Sequence, residues 1–185
     1  MTAQVFTLAN QLTLLRMLLV PAFVLLTLYG RFGWALLTFM FAGLTDLLDG
    51  LAARKTSGKS DLGAWLDPAA DKLLIATTFV VLTLPNIGLV NRLPLWLTII
   101  VISRDVGIVL TVAIVNLAIG PRTFRPSPLG KLATAVFVVS CVVVMFFNYL
   151  GRTSLWVDAV IWISLVITLA SWVDYVWRLA RIINK

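Results

Sequence analysis

Six long apolar runs dominate the sequence, at about residues 12–30, 34–53, 66–84, 94–117, 131–150 and 155–177, each near the ~20 residues that carry an α-helix across a bilayer. Lipid offers no hydrogen bonds, so each run must satisfy its own backbone N–H and C=O groups and is predicted to be helical. The chain has 185 residues, 61% hydrophobic and 12% charged, which leaves no room for a soluble domain beside six spans. The expected fold is one all-α integral membrane domain over residues 1–185, with a short interfacial helix at the N-terminus. No signal peptide is expected, because the start MTAQVFTLANQL carries no basic stretch ahead of the first run.

Lysine and arginine divide unevenly between the two sets of loops. One side receives Arg54, Lys55, Lys59, Arg122, Arg125, Lys131, Arg178, Arg181 and Lys185, and the other only Arg31, Arg92 and Arg152. That bias places both termini in the cytoplasm, as an even number of spans requires. It also accounts for the net charge of +7 without a nucleic-acid partner. The expected location is the cell (inner) membrane, as a multi-pass protein.

Composition removes several chemistries. Histidine is absent and the one cysteine, Cys141, lies in an apolar run, so neither a Ser-His-Asp triad, a Cys-His pair nor a Cys/His zinc site can be assembled. All eight acids are aspartates, and Asp46, Asp49, Asp61, Asp67 and Asp71 fall close together. Charged groups within spans are costly and by default mark function. Asp46 and Asp49 are three apart and Asp67 and Asp71 four apart, so each pair shares a helical face. Gly50 and Ala53 lie along the face of the first pair and leave the backbone open to close approach. A short polar turn, KTSGKSDL, separates the pairs, so antiparallel neighbouring helices would bring four carboxylates together. Such a cluster calls for a multivalent cation, and an oxygen-only set suits Mg²⁺, Mn²⁺ or Ca²⁺. Plainer readings exist for each residue alone: Asp67–Pro68 resembles an ordinary helix start, Asp71 can pair with Lys72, Arg54 can hold Asp46 or Asp49, and Asp61 reads as a solvated turn residue.

Residues 46–71 read D-x2-D-G-x2-A-R-x8-G-x3-D-x3-D, through Asp46, Asp49, Gly50, Ala53, Arg54, Gly63, Asp67 and Asp71. This resembles the signature of the CDP-alcohol phosphotransferase family, membrane enzymes that make phospholipids from a CDP-linked donor. The arrangement of Asn10, Thr13 and Arg16 is similar to the segment before the first span in many members. The resemblance implies that the four aspartates hold one or two divalent ions, usually Mg²⁺, with Mn²⁺ as a substitute, and that Asp71 also acts as general base. Asn10, Thr13, Arg16, Gly50, Ala53, Arg54 and Gly63 would then bind the donor, CDP-diacylglycerol. It further implies a homodimer.

A second basic set bears on the acceptor alcohol. Arg104 lies within the fourth span beside Asp105, and Arg122, Arg125 and Lys131 follow on the next cytoplasmic loop. Together they could bind a phosphate, although Arg104 with a carboxylate partner could equally tie helices together. The stretch PSPLGKLAT is similar to a segment of phosphatidylglycerophosphate synthases, which favours glycerol 3-phosphate as acceptor. AGLTDLLDGLAAR and ISRDV resemble the cardiolipin synthases of the same family, whose acceptor is phosphatidylglycerol; many glycerophosphate-using members carry Glu where Asp105 stands. Inositol phosphate is a third acceptor to consider. From other classes, a cation transporter or channel, or a noncatalytic assembly subunit with a metal staple, would also use an acidic cluster.

Overall fold

Each apolar run forms one α-helix in a computed structural model that describes residues 8–55, 61–119 and 127–183. The helices are α1 (Leu8–Leu28), α2 (Phe32–Lys55), α3 (Asp61–Thr83), α4 (Leu95–Ile119), α5 (Pro128–Tyr149) and α6 (Leu155–Ile183), and no strand occurs among the described residues. Segments of α1 (Gln11–Leu28), α5 (Pro128–Tyr149) and α6 (Leu155–Arg178) are long and apolar enough to cross a membrane. Phe32–Thr45 in α2 and Lys72–Thr83 in α3 are shorter apolar segments. Large apolar side chains such as Leu18, Leu37, Val109, Leu117 and Val166 face outward, as suits a protein solvated by lipid.

Two helices stop where glycine permits it. At the end of α1, the Gly30 N–H donates to Thr27 O and the Arg31 N–H to Leu26 O, with Gly30 at φ +70°. At the end of α5, Gly151 (φ +64°) and Arg152 donate to Asn148 O and Phe147 O in the same pattern. Both are Schellman ends, which need the left-handed conformation that glycine adopts without a Cβ penalty. The first of them ends α1 slightly before the boundary read from hydropathy.

Helix α3 corrects two readings of the sequence. It opens at Asp61, so Asp67–Pro68 lies inside the helix and is not its start, and Asp61 belongs to the helix and not to a preceding turn. The interfacial helix expected over about the first ten residues lies mostly outside the described residues, and residues 8–10 already belong to α1.

The chain divides into two compact units, Met1–Arg92 with Val144–Thr153, and Leu93–Val143 with Ser154–Lys185. In the first, α1 packs against both α2 and α3, with Phe23 and Phe39 tilted against each other at 6.0 Å. The α3–α4 loop is pinned to the end of α5. The Asn91 N–H donates to Asn148 Oδ1 (2.8 Å), Asn148 Nδ2 donates to Asn91 O (2.8 Å), and Asn91 Nδ2 donates to Arg152 O (2.7 Å). In the second unit α4 packs on α6, and the Ser140 and Ser164 hydroxyls meet at 2.9 Å between α5 and α6.

Candidate active site

The acidic motif occupies the end of α2 and the start of α3, on either side of the segment that connects them. Counting inward from their connecting segment, Asp49 stands six residues before Lys55 and Asp67 six residues after Asp61. Asp46 and Asp71 stand nine and ten residues in. At about 1.5 Å per residue, the inner pair lies near 9 Å and the outer pair near 14–15 Å from the helix ends. Each helix thus carries two aspartates at similar distances in sequence from the connecting segment, and both helices pack against α1. Asp67 and Asp71 keep helical spacing only because α3 begins before them. Gly50, Ala53 and Arg54 lie on the last turns of α2, and Gly63 on the first turn of α3. The side chains of residues 46–55 and of Asp61, Gly63, Asp67 and Asp71 are outside the described set, as is that of Asn10 on the first turn of α1.

Helix α1, which packs against both α2 and α3, carries buried polar groups. Thr13 and Arg16, three apart and on one face, are each only 1% exposed. A guanidinium buried to this degree needs anionic or polar neighbours to offset its lost hydration. Lys72, next to Asp71, is exposed.

Among the described residues of the second unit, Arg104 is a buried cation, 5% exposed. Its Nη1 donates to Asp105 Oδ1 at 2.6 Å and its Nη2 to Ser171 Oγ on α6 at 2.5 Å. Among the described residues its Nε has no acceptor. The guanidinium therefore does tie α4 to α6, and it also keeps one donor unused. It lies against the first turn of α5, where a Cβ on Gly130 would come within 3.2 Å of Arg104 Nη2 and of Ser127 Oγ. Ser127 caps that turn by accepting from the Gly130 N–H at 2.9 Å. Lys131, one residue on, is exposed, and Arg122 and Arg125 lie outside the described residues. Ser171 was not singled out in the sequence, yet Ser164, Thr168 and Ser171 form a buried polar stripe at helical spacing along α6. That stripe was the available signal.

An all-oxygen donor set at paired helical positions fits a hard divalent cation and no softer metal. Among the side chains that are described, no group of three or more His, Cys, Asp or Glu forms a competing metal site. Asp174 is engaged by Arg178, whose Nε lies 3.0 Å from both carboxylate oxygens.

Residues 6–170 match the CDP-alcohol phosphatidyltransferase family. The chain belongs to this family. It is similar to a probable phosphatidylglycerophosphate synthase of Mycobacterium tuberculosis, 34% identical over 189 residues that cover 97% of this chain and 84% of the relative. It is also similar to a CMP-forming cardiolipin synthase of Streptomyces coelicolor, 40% identical over 143 residues that cover 72% of this chain and 62% of the relative. A human CMP-forming cardiolipin synthase is 36% identical over 78% of this chain and 52% of its own length. The protein is accordingly a membrane-embedded phosphatidyltransferase of phospholipid biosynthesis, which removes the transporter and assembly-subunit readings. CDP-alcohol phosphatidyltransferases generally depend on a divalent metal, in keeping with the acidic motif.

Proposed function

We propose that the enzyme transfers the phosphatidyl group of CDP-diacylglycerol to the primary hydroxyl of glycerol 3-phosphate, forming phosphatidylglycerophosphate and CMP. The observation that carries this reading is Arg104, a buried guanidinium whose Nε has no acceptor among the described residues, beside the capped first turn of α5. Such a group suits a small phosphate-bearing acceptor. The near end-to-end similarity to a probable phosphatidylglycerophosphate synthase supports the same choice.

In this reading Asp46, Asp49, Asp67 and Asp71 hold one or two Mg²⁺ ions. When bound, the metal offsets the charge of the donor pyrophosphate and of departing CMP. Asn10, Thr13, Arg16, Arg54 and Gly63 bind the nucleotide end of the donor, and Gly50 and Ala53 leave room for it against the backbone of α2. Arg104, Arg122, Arg125 and Lys131 hold the acceptor phosphate. Asp71 takes the proton of the acceptor hydroxyl as its oxygen bonds to the phosphatidyl phosphorus and the bond from that phosphorus to CMP breaks. The positive-inside bias puts both termini and this chemistry on the cytoplasmic side of the cell membrane, in a protein that we also propose to be a homodimer.

A second reading, transfer to phosphatidylglycerol to give cardiolipin, is favoured by the 40% identity to a cardiolipin synthase. Both are tested by supplying purified protein with CDP-diacylglycerol, Mg²⁺ and one acceptor at a time (glycerol 3-phosphate, phosphatidylglycerol or inositol phosphate) and identifying the lipid product by mass spectrometry. Phosphatidylglycerophosphate with glycerol 3-phosphate alone is expected, and Asp71→Asn should reduce CMP release at least ~100-fold. Cardiolipin as the sole product would replace the first reading with the second. Unchanged CMP release from Asp71→Asn would remove Asp71 as base.

A further inference from the structure

At the opposite end of α2 from the acidic motif, beside the α1–α2 turn, the first unit contains a groove of about 480 Å³. Its walls come from the first turns of α2 and the last turn of α5, including Trp34, Leu36, Leu37, Phe146 and Tyr149, and the one charged residue lining it is Arg31. The walls are held close together by a missing side chain: a Cβ on Gly33 would lie 2.9 Å from two ring carbons of Tyr149. Trp34, Leu37, Phe146 and Tyr149 are all exposed, so the groove is open along its apolar side.

The α1–α2 turn joins two membrane-embedded segments and therefore stands at a membrane boundary. Arg31 is exposed there, and its backbone N–H already serves the Schellman end of α1. Among the described residues its guanidinium has no ion-pair partner, and no acid lines the groove. Trp and Tyr at this level match the amphipathic depth of lipid headgroups, while Leu37 and Phe146 continue toward the hydrocarbon. A cation at the mouth and apolar walls below complement one kind of molecule, a phospholipid with net negative charge whose phosphate meets Arg31 and whose chains lie on the walls.

We propose that this groove binds an anionic phospholipid, separately from the substrate site. Asp46 lies fourteen residues along α2 from Phe32, about 21 Å away, so one headgroup cannot occupy both sites at once. The test is native mass spectrometry of the detergent-purified full chain, titrated separately with phosphatidylglycerol and phosphatidylcholine of the same acyl chains. Wild type should retain phosphatidylglycerol at lower lipid concentration than phosphatidylcholine. Arg31→Gln should weaken phosphatidylglycerol retention about fivefold and leave phosphatidylcholine unchanged, as expected for one lost surface cation. Leu37→Trp, which fills the groove without altering charge, should weaken both. CMP release in detergent should stay within about twofold of wild type in both variants, separating this site from the catalytic one. Equal retention of the two lipids by wild type, or wild-type retention of phosphatidylglycerol by both variants, would overturn the proposal. A loss of CMP release in Arg31→Gln comparable to its loss of lipid would also count against it, since Arg31 would then serve the reaction.

Discussion

Replacing Ser171 by Ala removes the hydroxyl that accepts from Arg104 Nη2 at 2.5 Å and leaves the Arg104–Asp105 contact at 2.6 Å in place. A hydrogen bond to a charged group contributes about 1.5–3 kcal/mol, and Arg104 is too deeply buried for bulk water to replace it freely. A loss of ~2 kcal/mol should lower the thermal midpoint in detergent by about 4–8 °C for a chain of this size. If Arg104 holds the acceptor phosphate, part of that energy also aims its guanidinium. Releasing one of two anchors should raise KM for glycerol 3-phosphate about tenfold, the equivalent of ~1.4 kcal/mol, while KM for CDP-diacylglycerol stays within twofold. Ser171→Thr keeps the hydroxyl and should restore much of the acceptor KM. Steady-state CMP release, with each substrate varied in turn, reads the split. Equal increases in both KM values, or a lowered midpoint with an unchanged acceptor KM, would show that Arg104 only ties α4 to α6.

Asn148→Ala should destabilise the first unit by about 2–4 kcal/mol, because Asn148 both accepts from the Asn91 N–H and donates to Asn91 O, and its loss strands two backbone groups. A thermal midpoint lowered by less than ~2 °C would mean that the α3–α4 loop is held by other contacts. For the buried hydroxyl pair Ser140 and Ser164, a double-mutant cycle with Ala should give a coupling near ~0.6 kcal/mol. Strict additivity would show that the hydroxyls do not interact.

Much of the fold can be read from the sequence because a bilayer restricts the backbone so severely. Apolar runs of the right length become helices, and Gly30 and Gly151 stand where the left-handed helix ends need them. The start of α3 misleads because Asp67–Pro68 has the chemistry of a helix start, whereas Asp61, Gly63 and Asp67 are carried within the first two turns of the helix itself. The spacing of the four aspartates is visible in sequence, but their distances from the helix ends depend on where α2 ends and α3 begins. The surroundings of Arg104 could not be read locally, since Ser171 is 67 residues away and meets it only through the packing of α4 on α6. The same holds for the groove beside Arg31, which requires the start of α2 and the end of α5 to meet.

The central claim is that carboxylates from α2 and α3 hold the same divalent ion. Mn²⁺ binding to the purified protein, followed by electron paramagnetic resonance in wild type, Asp49→Asn and Asp67→Asn, tests it without relying on turnover. Substantially weaker binding in each variant, with Mg²⁺ displacing Mn²⁺ from wild type, is the predicted result. Wild-type binding in either variant would contradict a site shared by the two helices.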